Sequence, residues 1–378
     1  MIKKSELQQI NNFLYSHSTA QSRWARLGPY YAMFPMKFAY DVIADYSKKG
    51  DYILDPFAGR GSSLFAGSSL GRITHGIEIN PVGWVFSRVK LTPAPKEVVI
   101  QRVGEIYEQR ENHVEQISLL PKFFNHCFSR EVLLFLLAAK NLNWKNDIVD
   151  TTAIAIILHY LHGKRGQSLS NQMPMVKSMS PQYSIDWWRK KGFDSPPDID
   201  VLYFIKNRLD WRYNKGLPNY SDSKIVLGDS TKELNIIYSQ MKESNKKYSL
   251  VFTSPPYCGV TNYFTDQWLR LWLLGGADLP RTDICKYKKR FISTEDYTNL
   301  LDTIFKQCKQ SLADKSTVFV RTDSREFTFE TTKAILKRHF SDFKMNVVKS
   351  KCSTISQTEL YTNSKEKPCE MDIILTRK

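Results

Sequence analysis

No stretch of this 378-residue chain approaches 18 consecutive apolar residues, so the sequence offers no membrane-spanning helix. Cysteine is scarce and scattered. The six residues, at positions 127, 258, 285, 308, 352 and 369, include no Cys-x-x-Cys pair. That spacing argues against a zinc site or a disulfide framework and fits a reduced, cytoplasmic set of thiols. The amino terminus, Met1-Ile-Lys-Lys-Ser-Glu6, runs into a polar stretch rather than an apolar signal core, so no secretory signal is expected. Low-complexity linkers and internal repeats are also missing. Negative charge is in short supply, with 38 Asp and Glu against 54 Lys and Arg, a net charge of +16. This excess favours a polyanionic partner, because each neutralised phosphate releases condensed counterions. Apolar content of 42% and charged content of 24% are those of an ordinary globular protein and exclude wholesale disorder.

Three stretches differ in texture. Residues 1–95 alternate strand-like and helix-like segments. Met36 to Lys49 has helical spacing, stopped by Gly50, and Asp51-Tyr-Ile-Leu-Asp55 is a short apolar strand ending on an acid. Ser62 to Leu70 reads as a helix, and Ile73-Thr-His-Gly-Ile-Glu78 as a second strand ending on an acid. Pro81 then opens another helix at its favoured first position. Residues 96–222 lose this rhythm; Glu97–Ile117, Arg130–Leu142, Ile148–His162 and Ile199–Trp211 look helical, and Gly163–Asp194 has no clear period. From Ser223 the alternation returns, with strands at Lys224–Asp229, Tyr248–Thr253, Thr317–Arg321 and Met371–Thr376. The expected fold is one α/β sheet with parallel strands, formed by 1–95 and 223–378, interrupted by a mainly helical insertion at 96–222.

The first informative motif is Asp55-Pro56-Phe57-Ala58-Gly59-Arg60-Gly61-Ser62. Glycines directly after a strand let the backbone approach a ligand closely, and the next helix offers free N–H groups. Glu78, 23 residues after Asp55, ends the following strand, where a carboxylate suits a ribose diol. A dinucleotide fingerprint would need a third glycine at position 64, which is Leu, and no Gly-Lys-Ser/Thr marks a P-loop. A ligand-free βα turn remains the plain alternative for the glycines alone.

Asp-Pro-Phe-Ala-Gly-x-Gly followed by Gly-Ile-Glu-Ile-Asn-Pro resembles the cofactor half of the DNA amino-methyltransferases, which modify adenine N6 or cytosine N4. Met33-Phe-Pro-Met-Lys37 resembles the segment these enzymes fold over the methionine end of S-adenosylmethionine. Leu227-Gly228-Asp229-Ser230 resembles their turn toward the adenine amine. The resemblance implies a Rossmann-like methyltransferase sheet, with S-adenosylmethionine as cofactor. It also implies that Phe34 and Pro35 cover the ligand. Asp55, Phe57, Gly59 and Gly61 would hold its amino acid end, Glu78 its ribose and Asp229 its adenine. No clustered second ligand set accompanies these acids, so no metal is expected.

The sharpest motif is Thr253-Ser254-Pro255-Pro256-Tyr257, directly after a strand. An exocyclic amine is a poor nucleophile because its lone pair is delocalised into the ring. A site must accept hydrogen bonds from both its N–H groups and draw the nitrogen toward tetrahedral geometry. Ser254 Oγ supplies one acceptor; a carbonyl held by Pro255-Pro256 supplies the other, and Tyr257 offers a ring face to a flipped base. Within the family, a first-position Ser usually accompanies cytosine N4 chemistry and Asp or Asn adenine N6. The resemblance therefore implies an N4-cytosine DNA methyltransferase, with adenine N6 as the nearest alternative. An RNA amine methyltransferase and a non-catalytic partner subunit stand further off. Cytosine C5 chemistry would need a thiolate nucleophile; Cys258 and Cys369 are read instead as structural.

Asn262 to Leu274 reads as an apolar helix after this turn, and Lys286-Tyr-Lys-Lys-Arg290 as a basic loop. Within the insertion, Lys164, Arg165, Lys177, Arg189, Lys190 and Lys191 face a single acid, Asp186, over residues 162–191. Interleaved with Tyr183, Trp187 and Trp188, Lys164, Arg165, Arg189, Lys190 and Lys191 are candidate phosphate contacts. The insertion is accordingly the candidate target-recognition region. Duplex DNA is the expected partner, a cognate restriction endonuclease a candidate second one, and a cytoplasmic, nucleoid-associated location is expected.

Overall fold

Seven strands form one sheet in the order β3-β2-β1-β4-β5-β7-β6. They are β1 (Tyr52–Asp55), β2 (Ile73–Glu78), β3 (Lys224–Leu227), β4 (Tyr248–Thr253), β5 (Leu312–Asp323), β6 (Phe343–Lys349) and β7 (Glu370–Arg377). The structure is a computed structural model that describes residues 17–29, 34–259, 263–280, 292–350 and 369–377. β1 to β5 pair in parallel, and β7 runs antiparallel between β5 and β6. Ile53, Leu54, Leu250, Val251 and Phe252 are wholly buried, as expected of central strands covered by helices on both faces.

Short polar caps set the helix boundaries. Asn80 Oδ1 accepts from Val82 N, and Pro81 fills the first turn of the helix Pro81–Leu91. Asp229 caps Ser230–Glu243 through Thr231 N. Met36–Tyr46 and Ser62–Ser69 pack together, and Ala39, Ile43 and Ala66 share one apolar cluster with Ile53 of β1 and Leu250 of β4.

A helical stretch lies between β2 and β3. It comprises Lys96–Glu108, Val114–Leu119, Phe123–Cys127, Arg130–Ala139, Ile148–Tyr160, Pro181–Lys190 and Val201–Tyr213. It packs directly onto the sheet's own helices. Leu133, Leu136 and Leu158 share one apolar cluster with Phe86 and Val89, and with Leu269 and Trp272 of the helix Trp268–Leu273.

Several expectations are revised. The single helix read over 97–117 stops at Glu108 and passes through a 3-10 turn, Gln109–His113, that buries no side chain. The helix read over 262–274 is two short ones, Tyr263–Asp266 and Trp268–Leu273, parted at Gln267. Gln267 turns its amide inward to donate to Val176 O at 3.0 Å. Within 163–194, Ser180 and Pro181 open a helix that runs to Lys190. Cys127, Cys258 and Cys308 are free, but Cys369 is disulfide-bonded, which corrects the expectation of a wholly reduced set. Among the described residues no helix is long and apolar enough to cross a membrane.

Candidate active site

The sheet order reverses between β1 and β4, and the loops leaving their carboxyl ends open the crevice in which open α/β sheets bind ligands. Asp55 ends β1 and Thr253 ends β4, and the two are joined directly: Thr253 Oγ1 donates to Asp55 Oδ1 at 2.6 Å. The same carboxylate receives Phe57 N at 3.1 Å and the hydroxyl of Ser63. Asp55 therefore ties together the glycine loop, the helix behind it and the strand that carries the Ser-Pro-Pro-Tyr turn. It is 1% exposed, and burial pushes its carboxyl up to about 6 against the pull of the Ser63 and Thr253 hydroxyls.

The loop itself is held from several sides. Gly61 has φ +73°, and a Cβ there would lie 2.7 Å from Ser87 Oγ, so the position excludes other residues on two counts. Gly59 N donates to Glu78 Oε2 at 2.7 Å, while Ser87 Oγ donates to Gly59 O at 3.0 Å. Lys90, fully buried, donates to Arg60 O at 2.8 Å, and the Arg60 guanidinium turns away to Gly28 O at 3.0 Å. Burial holds the Lys90 amine well below its ordinary range. Sequence reasoning passed over Ser63, Ser87 and Lys90, whose polar ends gain meaning only when the loop folds over them.

Glu78 stands at the end of β2, 8% exposed, with Oε1 accepting from Asn80 N at 2.7 Å. Burial pushes its carboxyl up to about 7. Asp229 lies alongside, because Gly228 N donates to Glu78 O at 3.0 Å as β3 ends. Ser230 Oγ reaches across to Pro56 O at 2.5 Å and locks the β3 turn to the glycine loop. A cavity of about 450 Å³ opens beside these acids, walled by Ile79, Pro81, Leu227 and Phe264 among others. Two neighbouring carboxyls next to an apolar cleft suit a nucleoside: each carboxylate oxygen of Glu78 keeps a lone pair for a ribose hydroxyl, and the cleft takes a flat ring. The residues present therefore fit S-adenosylmethionine. Among the described residues, no three His, Cys, Asp or Glu side chains gather as a metal-holding group.

On the β4 side, Pro255 is buried, and Ser254 and Pro256 are half-buried. The ring expected to face a base is inside: Tyr257 is 4% exposed. Burial and the nearby Glu370 carboxylate hold its phenol well above the ordinary value. It sits by a charged cluster in which Arg321 donates to Asp372 at 2.7 Å and to Glu370 at 2.8 Å. Phe34 stacks on Phe252 at 4.4 Å, so the Phe34-Pro35 segment lies against β4, next to the turn. Met33 and the 286–290 loop fall outside the described residues. Burial raises the Cys258 thiol above its ordinary value, which keeps it protonated.

The basic residues of the insertion fall into two neighbouring groups. Lys164, Arg189, Lys190 and Lys191 are exposed, whereas Arg165 is half-buried and braces the chain. Its guanidinium donates to Asn171 Oδ1 at 2.6 Å and to Ser195 O at 2.8 Å, fastening its loop just beyond the 189–191 run. Residues 175–179 are in turn bonded to the segment after the Ser-Pro-Pro-Tyr turn. Ser178 N meets Asp266 O at 2.8 Å, and Trp268 Nε1 meets Met179 O at 3.0 Å.

Residues 3–82 match the N6_N4_Mtase family, described as DNA methylase. The type II methyltransferase M.AvaI of a Nostoc species is 24% identical over 312 residues, covering 77% of this chain and 61% of its own. M.MvaI of Kocuria varians is 24% identical over 216 residues, or 54% and 46% of the two chains. M.MthZI of Methanothermobacter thermautotrophicus is 35% identical over 80 residues, or 20% and 22%. The chain thus spans between 22% and 61% of the length of these curated relatives. The family match falls on the glycine loop and the Glu78 strand, the part of the chain that carries Asp55, Gly59, Gly61 and Glu78.

Proposed function

We propose that this chain methylates the exocyclic N4 amine of cytosine in duplex DNA, using S-adenosylmethionine and acting on a base swung out of the helix. The observation that carries the reading is the Thr253–Asp55 hydrogen bond, which fixes the amine-accepting turn to the strand that begins the glycine loop. When bound, S-adenosylmethionine supplies an electrophilic methyl group on its sulfonium sulfur.

The chain's own work is binding and orientation. Glu78 and Asp229 hold the nucleoside end, and the backbone of Gly59 and Gly61 holds the amino acid end. Asp55, its oxygens committed to protein donors, positions that loop. Phe34 and Pro35 shield the ligand on the β4 side. Ser254 Oγ and a carbonyl of the proline pair accept the two amine N–H groups, turning the nitrogen lone pair out of the ring plane. The methyl replaces one amine proton, which leaves to solvent past the Ser254 hydroxyl. Most of the acceleration then comes from in-line placement. For the ring of Tyr257 to stack on a base, it must leave its buried seat beside Arg321 and Glu370.

The matching family model is described as DNA methylase, which supports DNA as the substrate. The exposed Lys164, Arg189, Lys190 and Lys191 would take its phosphates, with Arg165 bracing their loop. The test is to incubate the protein with duplex DNA and S-adenosylmethionine, digest to nucleosides and identify the product by mass. N4-methylcytosine is expected. N6-methyladenine would overturn the choice of base, and transfer only to a matched RNA would overturn the choice of polymer.

A further inference from the structure

The cavity beside Glu78 and Asp229 is built from three parts of the chain that lie far apart in sequence. One wall is the edge of the sheet: Ile79 and Pro81 follow Glu78, and Leu227 precedes Gly228-Asp229. A second is the segment after the helix Trp268–Leu273, from Leu274 to Leu279. The third is Trp144 with Lys145, in the turn between the insertion helices Arg130–Ala139 and Ile148–Tyr160.

We propose that this turn of the insertion completes the nucleoside pocket of the cofactor, with Trp144 as its aromatic wall and Lys145 as a charged rim. The inference rests on the S-adenosylmethionine reading and adds that the insertion binds cofactor.

Four observations converge on it. The turn is rigid: Thr151 Oγ1 donates to Trp144 O at 2.7 Å, and Asn143 N to Asp150 Oδ2 at 2.8 Å. Trp144 is 6% exposed and packs on Trp84 with ring centroids 6.1 Å apart. Trp84 in turn donates to Ile225 O of β3 at 3.2 Å, so the indole is registered to the strand that leads to Asp229. The facing wall is fastened to the same part of the insertion. Trp272 Nε1 donates to Asp278 Oδ1 at 2.8 Å, and Lys140 lies 3.7 Å from that carboxylate. Finally, a flat purine needs apolar surface on its faces and a few polar partners at its edge, and these walls are mostly apolar with a polar minority. The Lys145 ammonium sits 5.2 Å over the Trp144 ring, which puts a hydrogen-bond donor on this wall.

The test uses the full chain and S-adenosylhomocysteine, titrated calorimetrically against the wild type, Trp144→Ala, Trp144→Phe and Lys145→Ala. Trp144→Ala is expected to weaken binding roughly tenfold or more, the scale of one aromatic stacking interaction. Trp144→Phe should stay within about threefold, since a smaller ring keeps much of that stacking surface. Because a buried tryptophan can be needed for folding, an 8-azidoadenine analogue of the ligand is also photolysed on the unaltered protein. Labelling of the peptide spanning residues 140–147 is expected. Wild-type affinity in Trp144→Ala, or labelling that spares this peptide while saturating another, would overturn the inference. Failure of the wild type to bind S-adenosylhomocysteine at all would instead overturn the cofactor reading beneath it.

Discussion

The carboxyl edge of the sheet and the helical insertion are both well packed, yet they are specified in different ways. At the sheet edge a few polar side chains do the positioning: Asp55 alone joins β1, β4, the glycine loop and the 62–69 helix. In the insertion, apolar burial does it, and the helix Ile148–Tyr160 is enclosed from Asp150 onward. Local polar geometry leaves short, ordered motifs in a sequence. Apolar burial leaves only a composition that many arrangements satisfy. Chemistry is therefore concentrated where the sequence is readable, and the insertion's contribution emerges from its packing.

The contrast is broken most sharply at Ser254. Ser254→Ala should lower the single-turnover rate of methyl transfer by about 10²–10³-fold, the usual cost of one acceptor or donor aimed at the reacting group. S-adenosylhomocysteine affinity should stay within about twofold. Loss of both together would mean that the turn holds the fold and not the amine.

Glu78 comes next. Glu78→Ala removes an acceptor shared by Gly59 N and Asn80 N, and should weaken S-adenosylhomocysteine binding by roughly 10–100-fold, the range of charged hydrogen bonds. Its pH behaviour sharpens the point. Burial lifts this carboxyl to about 7, above its unfolded value, so its contribution to stability is full at acid pH and is lost as pH rises through 7. A diol binds best to the ionised form, so cofactor affinity should climb between pH 6 and 8 while the unliganded protein loses stability. Glu78→Gln should flatten both trends; a climb in affinity that persisted in it would assign the titration elsewhere.

Neutralising Lys164, Arg189, Lys190 and Lys191 together tests the other region. DNA affinity should fall, and the slope of log affinity against log salt should become shallower by about 3 to 4, near 0.9 for each phosphate no longer neutralised. S-adenosylhomocysteine binding should not change. An unaltered salt slope would remove these residues from the DNA interface. The smallest effect is expected at Cys258, where Cys258→Ser should leave the transfer rate within about twofold and stability within about 0.5 kcal/mol. A large drop in rate would revive thiolate chemistry.

The same contrast explains what the sequence showed. β1, β2 and β4 were legible because each is an apolar run ending at a chemically distinctive residue: Asp55, Glu78 and Thr253. β6 was not. Only Phe343 is fully buried in it, and Lys344, Asn346 and Lys349 break the apolar signal of an edge strand. The helix Pro181–Lys190 carried a start signal in Ser180-Pro181, but its two tryptophans and its closing basic residues masked the periodicity. Site residues set by chain order were within reach. The position of Trp144 was not, because its place in one cavity wall with Ile79 and Leu227 depends on how two insertion helices turn over the 81–91 helix.

The most direct test is a crystal structure of the full chain with S-adenosylhomocysteine. The account predicts ribose hydroxyls on Glu78, the purine in the cleft beside Ile79 and Leu227, and the sulfur between the Gly59–Gly61 loop and the Ser254 turn. A ligand seated elsewhere, or a sulfur shielded from Ser254, would contradict it.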